Sequence, residues 1–162
     1  LNVATFMKVS KEQYALDVYG SADAEPLEYA DIHMPSRATT GSAGYDFYLP
    51  QSLVIANKPV LIHTGIRVRL DKGWMLALFP RSGLGFKYGL RLLNTVGIVD
   101  SDYFSAKNEG HIAIKMVADT PVELSAGDRF AQGIILPYGI ATNDHILMAG
   151  RDGGFGSTGG IK

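Results

Sequence analysis

Short apolar runs, cut at regular intervals by turn-forming residues, constrain this chain more than any other feature. Ile66-Arg67-Val68-Arg69-Leu70 alternates strictly, as a strand with one buried face does. Ile112, Ile114 and Met116 alternate with Ala113 and Lys115 in the same way. Trp74 to Phe79 and Phe130 to Leu136 are denser and suit strands buried on both faces. Between these runs stand Ala56-Asn57-Lys58-Pro59, Asp71-Lys72-Gly73 and Ser125-Ala126-Gly127-Asp128, clusters whose residues favour turns for backbone reasons. The pattern predicts an all-β sandwich, barrel or jelly roll. Two short helices interrupt it. Ser10-Lys11-Glu12-Gln13 has capping-box spacing and Gly20 stands where a helix stops, which predicts a helix over 11–19. A second is expected from Ser82 to about Gly89.

At 162 residues and 46% apolar content the chain can bury a core as one domain, with neither an internal repeat nor a linker-like shift in composition. A net charge of −1 argues against nonspecific nucleic-acid binding but leaves room for a site holding one small anion. With no cysteine there is no disulfide, thiolate metal site or cysteine nucleophile. No apolar run reaches membrane-spanning length and no signal-like segment opens the chain, so no membrane contact is expected.

Several segments can carry chemistry. The tail from Arg151 to Lys162 gathers glycines around Phe155, Ser157 and Thr158. Glycine lets backbone N–H groups approach an anion, hydroxyls and arginine add donors, and a phenyl ring can cover a base. The alternative is a frayed terminus. Pro80-Arg81-Ser82-Gly83-Leu84 opens the second helix, where unpaired N–H groups suit phosphate; otherwise Ser82 is a cap and Arg81 is solvated. Asn94 to Tyr103 runs into an acidic turn at Asp100 and Asp102 that can orient water, or that forms for backbone reasons alone. Gly127 to Gly133 presents Arg129 and Gln132, toward a ligand or toward polar neighbours. Ser36 to Asp46 is a small polar loop entering a strand, with Asp46 a turn former or a carboxylate near a cation. His33, His63, His111 and His145 lack metal-ligand spacing and are expected to be structural or superficial.

Taken in order, these segments resemble the homotrimeric dUTPase (deoxyuridine 5'-triphosphate nucleotidohydrolase) family. Its motifs are matched by Ala43-Gly44-Tyr45-Asp46, Pro80 to Leu84, Asn94 to Tyr103, Gly127 to Gln132 and Arg151 to Gly159. There are three departures. Six residues separate Tyr103 from Gly110, where the family usually has one. Only Asp152 separates Arg151 from the glycine pair. The stretch up to Pro35 is longer than is common. Such variants resemble dUTPases of Gram-positive bacteria and their phages.

The resemblance implies a single domain over 1–162, a jelly-roll or distorted barrel with an N-terminal segment (1–34) and a flexible active-site tail (150–162), assembled as a homotrimer. The implied reaction is dUTP plus water giving dUMP and pyrophosphate with Mg²⁺, in the cytoplasm of a bacterium or phage-infected cell. It limits uracil in DNA and supplies dUMP for thymidylate. Asp100 would activate the water. Arg81, Ser82, Gly83 and Gln132 would contact the phosphates, Arg81 and Gln132 as part of the catalytic set. A hairpin starting at Asn94 would read uracil through Asn94 and Gly97, and Tyr103 would back the sugar. Phe155 would stack on the base; Arg151, Gly156, Ser157 and Thr158 would close over the triphosphate. Asp46 would hold Mg²⁺ through water. The rival readings are a dCTP deaminase-like enzyme and a non-catalytic nucleotide-binding regulatory trimer. The insert after Tyr103 and the N-terminal segment are candidate surfaces for an unidentified protein partner.

Overall fold

A computed structural model describes residues 1–147. The chain is mostly β, with two α-helices. The strands are β1 (Ala4–Lys8), β2 (Tyr45–Tyr48), β3 (Leu53–Ile55), β4 (Val60–His63), β5 (Ile66–Leu70), β6 (Trp74–Pro80), β7 (Arg91–Leu92), β8 (Gly97–Val99), β9 (Ala113–Val117), β10 (Val122–Leu124) and β11 (Arg129–Pro137). The helices are α1 (Lys11–Tyr19) and α2 (Ser82–Tyr88), with 3-10 turns at Leu27–Asp31 and Ser101–Ser105. The four main expectations for strands hold: β5, β6, β9 and β11 lie where alternation or apolar density put them. In β5 the burial follows the pleat, with Ile66, Val68 and Leu70 buried and Arg69 exposed. In β6, Leu76, Ala77 and Leu78 are buried in succession, as a strand covered on both faces requires.

Among the described residues the strands form four antiparallel sheets: β1-β5, β10-β3, β4-β9-β7 and β2-β11-β6-β8. The last carries the candidate site. At its centre Gly133 of β11 faces Tyr45 and Leu78. A Cβ there would stand 2.8 Å from Leu76 Cδ1 and 3.1 Å from Phe47 Cε2, so only glycine lets β11 lie this close to the core.

Two local expectations change. Ser10 caps α1, its Oγ accepting from Gln13 N–H at 3.1 Å, but the reciprocal half of the capping box is supplied from elsewhere. Gln13 turns to Asp17, while Glu109 accepts from both the N–H and the hydroxyl of Ser10 at 2.9 and 2.8 Å. A carboxylate is the stronger acceptor, and it displaces the amide. The segment at Asn94 is also not a paired hairpin. β7 joins β9 while β8 joins β6, and the chain changes sheet through Thr95, whose φ is 70°.

Candidate active site

Three segments distant in sequence converge on a pocket of about 440 Å³. Its walls come from the loop 38–44, from Asp46 on β2, from Arg81-Ser82-Gly83 at the start of α2, and from Gln132 and Ile134 on β11. Sheet register explains the meeting: Gln132 pairs with Asp46 on one side and with Phe79 on the other. The Gln132 amide donates to the Pro80 carbonyl at 3.2 Å, and its Oε1 lies 2.5 Å from where a Cβ on Gly44 would stand. Gln132 thus ties its own segment to the loop ending at Asp46 and to the segment opening α2.

Asp46 is buried and holds two arginines. Its carboxylate lies 3.1 Å from Arg81 Nε and 3.3 Å from Arg129 Nη1. Arg129 and Gln132 are three apart, so an unbroken strand would send them to opposite faces. A register shift between Arg129 and Ala131 in the pairing with β2 brings them to the same face as Asp46. Periodicity gives no signal for such a bulge. Two guanidinium groups against one carboxylate leave a net positive charge, and Ser82 adds a hydroxyl. The chemistry suits a phosphate chain.

The other expected site residues lie apart. Asn94 and Gly97 line an apolar groove of about 530 Å³ with Leu61, Leu78, Leu92 and Leu93. Gly97 lies against Leu78, whose Cβ would be 3.1 Å from any Cβ added there. Asp100 follows β8 and precedes the 3-10 turn at Ser101–Ser105. Tyr103 is buried and its hydroxyl donates to the His111 carbonyl at 2.6 Å. β6 separates β8, with these residues, from β11, so none of the four lines the 440 Å³ pocket. Arg151, Phe155, Gly156, Ser157 and Thr158 lie outside the described residues.

The histidines are not as scattered as their sequence positions. His63, His111 and Asp17 present ligand-type atoms within 4.8 Å of one another. Both nitrogens of His111 are nevertheless engaged, Nε2 accepting from Gly65 N–H at 2.9 Å and Nδ1 lying 2.6 Å from Asp17 Oδ2. A cation at His111 would have to displace one of these bonds. Burial lowers the pKa of both rings and favours their neutral forms.

The dUTPase family model matches residues 30–159, most of the chain. The chain belongs to the dUTPase family. The deoxyuridine 5'-triphosphate nucleotidohydrolase of Lactococcus lactis subsp. lactis (strain IL1403) is 38% identical over 135 residues, covering 80% of this chain and 90% of that protein. The crystal structure of the Streptococcus mutans dUTPase superposes with a TM-score of 0.64 at 30% identity, covering 88% of this chain and 100% of that one. A mutant dUTPase from phage phi11 of Staphylococcus aureus, described with a structural Mg(II) ion, shares the fold with a TM-score of 0.64 at 18% identity, covering 91% and 99%. The dUTPase match leaves β1 and α1 outside it. No helix among the described residues is long and apolar enough to cross a membrane.

Proposed function

We propose that this chain hydrolyses dUTP to dUMP and pyrophosphate by in-line attack of water on the α-phosphorus. The observation that carries the reading is the convergence of Asp46, Arg81, Ser82, Gly83 and Gln132 on one cationic pocket. Phosphoryl transfer of this kind depends on positioning and charge stabilisation. Arg81 and Ser82 bind the phosphate oxygens. Asp46 keeps the Arg81 guanidinium aimed into the pocket, and Gln132 donates from its amide. Asp100 orients the attacking water and accepts its proton. Asn94 and the backbone at Gly97 pair with the uracil edge, and the closeness of that backbone excludes a methyl at C5. Arg151, Phe155, Gly156, Ser157 and Thr158 close over the bound nucleotide.

The donor set fits Mg²⁺ held through water. Among the described residues Asp46 is the one carboxylate lining the pocket, and it is already shared by two arginines, so it can accept from a metal-bound water rather than ligate directly. The ion would supply neutralisation of triphosphate charge.

We infer a jelly-roll subunit working as a homotrimer. The separation of the phosphate pocket from Asn94, Gly97, Asp100 and Tyr103 supports a site completed by a neighbour. The exposure of Leu61, Leu93 and Ile98 near the apolar groove, and of Ile140, Ile146 and Leu147 after β11, supports association. Sedimentation should give a species near three times 17.5 kDa. The function itself is tested by incubating the protein with each deoxynucleoside triphosphate and Mg²⁺. Production of dUMP and pyrophosphate from dUTP alone supports the reading. Formation of dUTP from dCTP, or binding without turnover, overturns it.

A further inference from the structure

The two segments that depart most from the family pattern meet each other. One is the N-terminal segment, whose β1 and α1 precede the matched residues. The other is the insert between Tyr103 and Gly110. Glu109 accepts twice from Ser10, the cap of α1, and Asp17 near the end of α1 accepts from His111. Arg67 of β5 donates to the Phe104 carbonyl at 2.7 Å, and its guanidinium lies 3.7 Å from the centre of the Phe104 ring.

Tyr103 is bonded to the same insert and to His111. Its hydroxyl donates to the His111 carbonyl at 2.6 Å and accepts from the Asn108 amide at 2.9 Å. Two directional bonds fix the phenol along two directions. Asn108 Oδ1 in turn accepts from Gly110 N–H at 3.2 Å. Gly110 has φ 70°, and a Cβ on it would meet the Tyr103 carbonyl at 2.6 Å, so the end of the insert packs backbone to backbone against this tyrosine. His111 is held by its side chain as well. Nε2 accepts from Gly65 and therefore carries no proton, so the Nδ1 proton is directed to Asp17.

We propose that Asn108, His111 and Asp17 are positioning residues for Tyr103, and that α1 and the insert together form one buttress that makes this tyrosine a rigid wall against the nucleotide sugar. The proposal rests on the dUTPase reading and on the role that the family resemblance implies for Tyr103, backing the deoxyribose. Its consequence is selectivity. A pocket rejects an added hydroxyl only weakly when its wall can yield. A phenol held from two sides cannot retreat from a ribose 2′-hydroxyl without breaking buried bonds. The long connection from Tyr103 to Gly110 would otherwise leave that wall loose.

The test is the ratio of kcat/KM for dUTP to kcat/KM for UTP in the full-length protein. Asn108→Asp keeps the acceptor for Gly110 N–H, and with it the turn, but removes the donor to Tyr103. Asn108→Ala removes both. If the role is positioning, both variants lower the ratio by about tenfold, the worth of one hydrogen bond. The change comes through higher kcat/KM for UTP and higher KM for dUTP, with kcat for dUTP nearly unchanged. Asp17→Ala lowers the ratio in the same direction, and Asp17→Asn, which retains an acceptor oxygen for His111, restores most of it. An unchanged ratio in folded Asn108→Asp and Asp17→Ala proteins overturns the proposal. So does loss of the folded state in both, which would make these contacts structural only. Failure of the unsubstituted protein to hydrolyse dUTP refutes the function instead, and the two failures are told apart by that control.

Discussion

Gly44→Ala perturbs Gln132 without substituting it. Gly44 has no left-handed backbone, so alanine is conformationally acceptable there. The new methyl would lie 2.5 Å from Gln132 Oε1, 3.4 Å from Cδ and 3.6 Å from Cβ. Contact at 3.4 Å or beyond is ordinary, so the amide must swing away while the rest of the side chain stays. It then loses its bond to the Pro80 carbonyl, worth about 0.5–1.5 kcal/mol. Replacing glycine by alanine restores about 0.4–1 kcal/mol through the unfolded state. The two terms nearly cancel, and the melting temperature should move by only a few degrees. Catalysis should not be spared. One hydrogen bond to a charged phosphate oxygen is worth about 1.5–3 kcal/mol, so kcat/KM should fall by about ten- to a hundredfold. The assay is steady-state pyrophosphate release from dUTP, run beside Gln132→Ala and the double variant. If the added methyl acts only through Gln132, the double variant is no worse than Gln132→Ala. Activity within about twofold of the parent, or losses that multiply in the double variant, would refute the reasoning.

Asp100→Asn should lower single-turnover hydrolysis by about two to four powers of ten, with the dissociation constant for a nonhydrolysable dUTP analogue changed only a few-fold; near-normal turnover would remove Asp100 from its role. Gly133→Ala should cost about 1–3 kcal/mol in urea unfolding, because Leu76 and Phe47 leave its methyl no space. Stability should fall as pH drops below the ordinary histidine value of 6.5, because burial lowers His63 and His111 in the folded state. The unfolded chain then binds more protons than the native one, so each ring contributes at most about 1.4 kcal/mol per pH unit between 6.5 and its folded value. Unfolding midpoints that do not change between about pH 7.5 and 5.5 would contradict this.

Much of the fold was legible because local patterns decided it. The alternation of Ile66, Val68 and Leu70 and the density of Leu76, Ala77 and Leu78 state which faces are buried. Ser10 and Gly20 mark the ends of α1, and Gly20 closes it with φ 77°. Part of the candidate site was legible as composition at ordered places, and Asp46, Arg81, Ser82, Gly83 and Gln132 line one pocket. Relationships across the chain were not. Glu109 caps a helix 99 residues away in place of Gln13, and Asp17 meets His111 at a separation of 94. Arg129 reaches Asp46 because of a bulge, which depends on the partner strand rather than on local sequence. The changeover between sheets at Thr95 likewise follows from which strand each segment finds. Two polar residues and a turn read the same in sequence whether the chain folds back on itself or crosses to another sheet.

In the proposed reaction water attacks the α-phosphorus of dUTP. Hydrolysis in ¹⁸O-labelled water tests it most directly, with the products separated and weighed by mass spectrometry. Attack at the α-phosphorus places one ¹⁸O atom in dUMP and leaves the released pyrophosphate unlabelled. Label in pyrophosphate with none in dUMP would mean that the β-phosphorus is attacked, and would contradict the account.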